Sequence, residues 1–273
     1  MADIHSIVKN LPEKVEQVIL GGGEVLADTP QLYAALDALY AKFGNDTRYM
    51  IQSNGDLIDT PTVEGLLQRH VCRIDISSID DFHNNRKTRE EIDSILKSCG
   101  LKFLPFPSLV DEDGNLPAAA YSFWGSTPEL WLGGVWPRGR AMKSGLWTRD
   151  PSHSFCNIWS GALGFLDNES PQQEINIRLN EAHPCCPGTR HALGDVSKEP
   201  LTDILDRYRG DPVFAALNRG EPEAMGVERG LSVEHARARI EELGSCCLWC
   251  DEFFERHYAP SGVPPSIFFA SQL

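Results

Sequence analysis

The sequence predicts an α/β fold, with a parallel sheet in its first half and a small, cysteine-rich α+β extension in its second. Three observations lead there. Short apolar runs alternate with helical patterns up to about Asp150, the signature of βα units around a parallel sheet. Beyond that point the pattern changes to an alternating INIRL run, paired cysteines, Pro and Gly punctuation and polar amphipathic helices. Six of the eight cysteines (Cys156, Cys185, Cys186, Cys246, Cys247 and Cys250) lie in this second part, while Cys72 and Cys99 stand alone. The expected domains are therefore 1–150 and 151–273.

Taken in order, the first strand is QVIL, just before Gly21. The following TPQLYAALDALYAKFG is a helix: Thr29 can cap it, Pro30 suits its first turn and Gly44 closes it. RYMIQ before Ser53 is the second strand and CRIDIS, ending at Ser77, the third. In TREEIDSILKSCG, Thr88 and Glu91 have the spacing of a capping box and Gly100 marks the stop. LKFLPF near Leu101 and WLGGVW around Gly134 give the fourth and fifth strands. The second part adds a strand pattern in EINIRLNEAHP and helices in LTDILDRYR and SVEHARARIEEL; the tail YAPSGVPPSIFFASQL is expected as irregular chain over the core.

With 273 residues, 41% of them apolar, the chain can bury one sizeable core and carry an appendage. A formal charge of −14 gives no electrostatic footprint for nucleic acid or an anionic membrane, which need clustered Lys and Arg, and so disfavours polyanionic partners. The start, MADIHSIVKNLPEK, lacks a basic stretch followed by an apolar one, and no later run is long enough to span a bilayer, so a cytoplasmic location is expected. In such a chain the cysteines are metal ligands or buried thiols rather than disulfides.

The first constellation is VILGGGEVL. Three glycines after a buried strand make either a tight βα turn or a bare backbone that a ligand can approach closely. The second strand ends in QSNGDLI and the third in DISSIDDFH, so small polar residues collect at the carboxyl edge of the sheet, where α/β folds place their ligands. In this order, GGE, SNG and an IS-x-ID-x-x-H run resemble radical S-adenosylmethionine (SAM) proteins. The resemblance implies an incomplete (β/α)6 partial barrel. It also implies that Glu24 and the backbone of Gly22 and Gly23 bind the amino group of SAM, that Ser53 and Asn54 match a TNG-like strand end, and that Ser77 meets the ribose or carboxylate. WPRGRA resembles the family's GRA segment, where Arg140 would meet the SAM carboxylate; as a residue by itself, Arg140 reads equally as a surface ion pair.

The chain departs from that family in one respect. Members carry CxxxCxxC after their first strand, and no cysteine precedes Gly21 here. IHSIVKNLPEKVEQ resembles the helix that follows that loop, so the first barrel strand is expected to be missing and QVIL to lie at a sheet edge. Val18 to Gly22 should then be covered by the N-terminal helix, by the apolar tail ending IFFASQL, or by a second protomer.

The second constellation is the cysteines. Cys247 and Cys250 form a C-x-x-C expected at a tight turn, and Cys156 with Cys185 or Cys186 would complete four-sulfur ligation of iron–sulfur or zinc. The order resembles the SPASM or twitch extension of radical SAM maturases, as does LGDVSKEPLTDIL, and implies one auxiliary 4Fe–4S cluster. Zinc in a closed structural site is the alternative metal. Cys72 and Cys99 read as buried thiols, and His83, His183 and His191 as hydrogen-bonded surface groups.

The expected function is a radical-SAM-like iron–sulfur protein related to peptide- or protein-modifying maturases, with weak SAM binding and no SAM cleavage unless a CxxxCxxC segment lies upstream. The alternatives are a non-catalytic iron–sulfur binding or electron-transfer protein, and a zinc-stabilised scaffold. The expected partners are a peptide or protein substrate and, over the open sheet edge, another protomer or chain.

Overall fold

The first half of the chain folds as a parallel sheet with helices packed on one face. It is described by a computed structural model covering residues 4–77, 86–106, 108–125, 135–152, 156, 164–167, 173–185 and 191–258. Helix α1 (Ile4–Lys9) is followed by β1 (Gln17–Leu20), α2 (Thr29–Phe43), β2 (Arg48–Ser53), α3 (Thr60–Leu67), β3 (Val71–Ile76), α4 (Arg89–Ser98), β4 (Lys102–Phe103) and β5 (Ala120–Phe123). Local chemistry sets the helix starts. Asp28, not Thr29, caps α2 by accepting from the Gln31 amide at 3.1 Å, Asp59 does the same for α3 through Thr62, and Thr88 and Glu91 form the expected capping box of α4.

The strands run parallel in the order β1-β2-β3-β5-β4. Because side chains alternate along a strand, the sheet has two unlike faces. Leu20, Tyr49, Ile51, Ile74, Ile76, Tyr121 and Phe123 pack with Leu32, Leu36 and Leu39 of α2, Val63 and Leu66 of α3, and Ile92 and Leu96 of α4 into one apolar core. The register places Met50, Gln52, Arg73, Asp75 and Ser122 on the opposite face.

Two expectations change here. The strand completing the sheet is Ala120–Phe123, which has only four residues and a buried serine, whereas Trp131 to Gly134 of the expected WLGGVW strand lie outside the described residues. β5 also lies between β3 and β4. A sequential (β/α) barrel would set β4 beside β3, so the described sheet follows barrel order only through its first three strands. Among the described residues β1 pairs with β2 alone. α1 packs on α2, with Lys42 Nζ donating to the carbonyls of Val8, Lys9 and Leu11 at its end. Ile19 stays 46% exposed. The tail proposed as a cover lies outside the described residues.

The second unit begins at Val135, ahead of the change in pattern near Asp150. It holds α5 (Gly139–Ser144), β6 (Asn176–Arg178), β7 (Glu181–His183), β8 (Gly194–Asp195), α6 (Leu201–Asp206), α7 (Pro212–Asn218), α8 (Val233–Leu243) and α9 (Cys246–Arg256). The segment from Val135 to Asp150 belongs with these helices for a physical reason. Arg149 donates to the carbonyls of Glu241, Glu242 and Leu243 at the end of α8, the Asp150 amide donates to Gly244, and Arg138 is bonded to α9. β6, β7 and β8 make an antiparallel sheet, with the INIRL and NEAH runs as its hairpin. Trp249 and Phe253 bury one stripe of α9, and Trp249 Nε1 donates to the Pro222 carbonyl at 3.0 Å. Among the described residues no helix is long and apolar enough to cross a membrane.

Candidate functional site

At the carboxyl ends of β1, β2 and β3, residues distant in sequence are wired together through Glu24. Its Oε1 accepts from Ser53 Oγ at 2.8 Å and from the Leu26 amide at 3.0 Å, while Oε2 accepts from the Asn54 amide at 2.8 Å. Ser53 Oγ in turn accepts from the Gly55 amide at 3.0 Å, and the Ser77 amide donates to the Ser53 carbonyl at 2.8 Å. The tips of three strands thus share one hydrogen-bonded network, and Glu24 Oε2, with one bond made among the described residues, has a second lone pair to offer a donor.

The glycines beside Glu24 leave room. Gly22 and Gly23 hold φ of +91° and +59°, the left-handed region glycine enters without strain, and among the described residues a side chain at either would meet nothing within 4 Å. Gly21 differs, since a Cβ there would sit 3.0 Å from Gln52 Oε1. The triplet is both a turn and an open backbone.

Behind this edge, on the sheet face away from the helices, lies a polar cluster that the sequence reading did not single out. Arg73 and Asp75, 1% and 3% exposed, form an ion pair from Nε to Oδ1 at 2.6 Å. Ser122 Oγ donates to the same Oδ1 at 2.6 Å and accepts from Arg73 Nη2 at 3.0 Å, and Arg73 Nη1 donates to the Ser108 carbonyl at 2.6 Å. Alternation along VCRIDI, with charged residues two apart, was the available signal.

In the second unit, Cys247 and Cys250 do not sit at a tight turn; they occupy the first turns of α9, capped by Ser245, which accepts from the Cys247 amide at 3.2 Å. Both thiols are buried, at 7% and 6% exposure. The Cys247 thiol is pushed well above the ordinary range by its hydrogen bond with Cys246 and by burial, and the Cys250 thiol by burial and by the charges of Cys185 and Cys247. Arg138 opposes both shifts. Of the expected ligands, Cys185 and Cys247 are therefore both near enough to act on Cys250. The Cys156 thiol is half-buried and is not among the groups acting on Cys247 and Cys250, and Cys186 lies outside the described residues. Among the described residues no group of three or more His, Cys, Asp or Glu side chains gathers as a metal-ligand sphere. The donor chemistry fits a thiophilic metal or cluster, since buried neutral thiols can give up their protons to one.

Two further residues stand out here. Arg138 Nη1 and Nη2 grip Asp251 at 2.8 and 3.2 Å, and Nη2 also donates to the Cys247 carbonyl at 3.3 Å. The sequence reading chose Arg140 from the same WPRGRA segment; its backbone lies in α5 and its side chain lies outside the description. His183, expected at the surface, is buried at the end of β7, where burial lowers its pKa and keeps it neutral; among the described residues its Nδ1 has no hydrogen-bond partner. His191 packs among Tyr208, Phe214, Phe254 and Tyr258, and His83 lies outside the described residues. Cys72 and Cys99 are half-buried free thiols.

No protein-family model matches the chain, and no curated protein does. Solved structures similar to it include the following two. The complex of BtrN with AdoMet and 2-DOIA is 12% identical, with a TM-score of 0.43 over 75% of this chain and 68% of that one. Native anSMEcpe with bound AdoMet is 13% identical, with a TM-score of 0.43 over 92% of this chain and 85% of that one. At this level of likeness, function has to be argued from the residues themselves.

Proposed function

We propose that the chain is a radical-SAM-like iron–sulfur protein that binds SAM weakly at the ends of β1, β2 and β3 and holds one auxiliary 4Fe–4S cluster through its C-terminal cysteines. The carrying observation is Glu24. It joins the GGE and SNG motifs by side-chain and backbone hydrogen bonds, while among the described residues nothing fills the space beside Gly22 and Gly23. An ammonium group donating to Oε2 would suit that edge, with Ser77 beside it. For the cluster, Cys185, Cys247 and Cys250 are the ligands the thiol neighbourhood favours, with Cys156 or Cys186 as the fourth. When bound, the cluster would supply one-electron transfer. A peptide or protein substrate and a cytoplasmic location belong to the same reading. The 273 residues hold no CxxxCxxC, so SAM cleavage is not expected from them alone.

Equilibrium dialysis with labelled SAM tests the strand-end site. Saturable binding that is lost in Glu24→Ala supports it; binding equal in both proteins refutes it. Incubation with a strong reductant should yield no 5′-deoxyadenosine above a Cys247→Ala control.

A second reading, a zinc-stabilised scaffold, is favoured by how completely Cys247 and Cys250 are enclosed, as in closed structural sites. Iron, sulfide and zinc assays on protein made anaerobically with ample iron separate the two. Stoichiometric zinc without sulfide selects the scaffold.

A further inference from the structure

We propose that Arg138 is the positioning residue of the thiol site, fixing the first turns of α9 so that Cys247 and Cys250 face one bound metal or cluster. The inference rests on the thiol-site reading above and adds a residue that no motif assigned. Its ground is geometric. Arg138 spans both oxygens of Asp251, at 2.8 and 3.2 Å, and reaches the Cys247 carbonyl at 3.3 Å. Asp251 follows Cys250 directly, so the fork ties the backbone of one thiol-bearing residue to the residue after the other.

The arrangement is fixed from both ends. Arg138 stands in extended backbone between Pro137 and the start of α5, and Nη1 also donates to the Pro137 carbonyl at 3.1 Å. The pair is partly shielded, with side-chain exposures of 21% and 24%, so it is less screened than an ion pair in open water. A planar fork can satisfy a carboxylate bidentately and still reach a carbonyl, whereas a lysine ammonium presents one point and a more flexible stem. Bringing two thiolates onto one metal needs their Cα positions held while their protons leave. A clamp on the Cys247 carbonyl and on the Asp251 carboxylate does this without contacting the metal.

The test uses the full chain as wild type, Arg138→Ala, Arg138→Lys and Asp251→Asn, loaded anaerobically either with cobalt(II) or by iron and sulfide reconstitution. Cobalt reports thiolate geometry through its visible ligand-field bands whichever metal is native, and loss of iron to a chelator reports retention. The expected result is weakened or shifted cobalt bands and at least tenfold faster iron loss in Arg138→Ala, no rescue by Arg138→Lys, and a lesser effect in Asp251→Asn. If Arg138→Ala fails to fold, Asp251→Asn, which keeps size and removes the charge, carries the comparison. Variants whose cobalt spectra and chelation rates equal wild type overturn the proposal while leaving the thiol site standing. A wild-type chain that takes up neither cobalt nor iron overturns the thiol site itself.

Discussion

Replacing Asp75 with alanine should destabilise the sheet that carries the strand-end site by about 3–5 kcal/mol. The magnitude follows from what the change leaves behind. Arg73 is 1% exposed and would keep its bonds to the Ser108 carbonyl and Ser122 Oγ, but its charge would be buried without the carboxylate now 2.6 Å from Nε. The Ser122 hydroxyl would also lose its acceptor. Ser122→Ala removes the two hydrogen bonds of the hydroxyl, to Asp75 and from Arg73, and leaves the ion pair, so it should cost less, about 2 kcal/mol. The double variant Arg73→Met, Asp75→Leu removes both charges and should recover most of the loss, because the penalty in the single variant is an unpaired buried charge. Native-state hydrogen exchange of the β3 amides reads the opening free energy of this sheet separately from the second unit. A loss below about 1 kcal/mol in Asp75→Ala, or a double variant less stable than the single one, would refute this account.

Three further expectations follow from particular contacts. Ser53→Ala deletes the hydroxyl that joins Glu24 to the Gly55 amide; differential scanning calorimetry should show a loss of about 1 kcal/mol, and dialysis a weaker hold on SAM. Gly55→Ala should lower the urea midpoint by the equivalent of about 2 kcal/mol or more, since φ is +83° there and the new Cβ would lie 2.5 Å from Ile92 Cδ1 and 3.2 Å from Ile76 Cγ2. Cys247 and Cys250 have thiol pKa values raised in the folded chain, so the unfolded chain loses those protons first as pH rises. Metal-free protein should therefore keep this contribution below about pH 8.5 and lose it progressively above, and a melting temperature that rises over that range would contradict the burial argument.

The sequence by itself determined the features that local chemistry controls. QVIL, RYMIQ and CRIDIS became strands because each is a short apolar or alternating run bounded by Gly or polar turns, and the Thr88–Glu91 box formed because both of its bonds lie within one helical turn. The order of GGE, SNG and the end of the third strand was enough to collect Glu24, Ser53, Asn54 and Ser77 at one edge, since parallel strands deliver their carboxyl ends to the same side. Tertiary structure decided the rest. Ala120–Phe123 was invisible as a strand because its buried serine makes sense only against Arg73 and Asp75 on the neighbouring strand. The place of β5 between β3 and β4 depends on pairing between distant segments, which no local pattern encodes. Asp28 rather than Thr29 caps α2 because its carboxylate meets the Gln31 amide at the end of the short turn that begins at Val25. Arg138 and Arg140 are indistinguishable in WPRGRA; only the fold of α9 against that segment made Arg138 the residue that meets Asp251, because a guanidinium's partner is set by what lies within its reach in space.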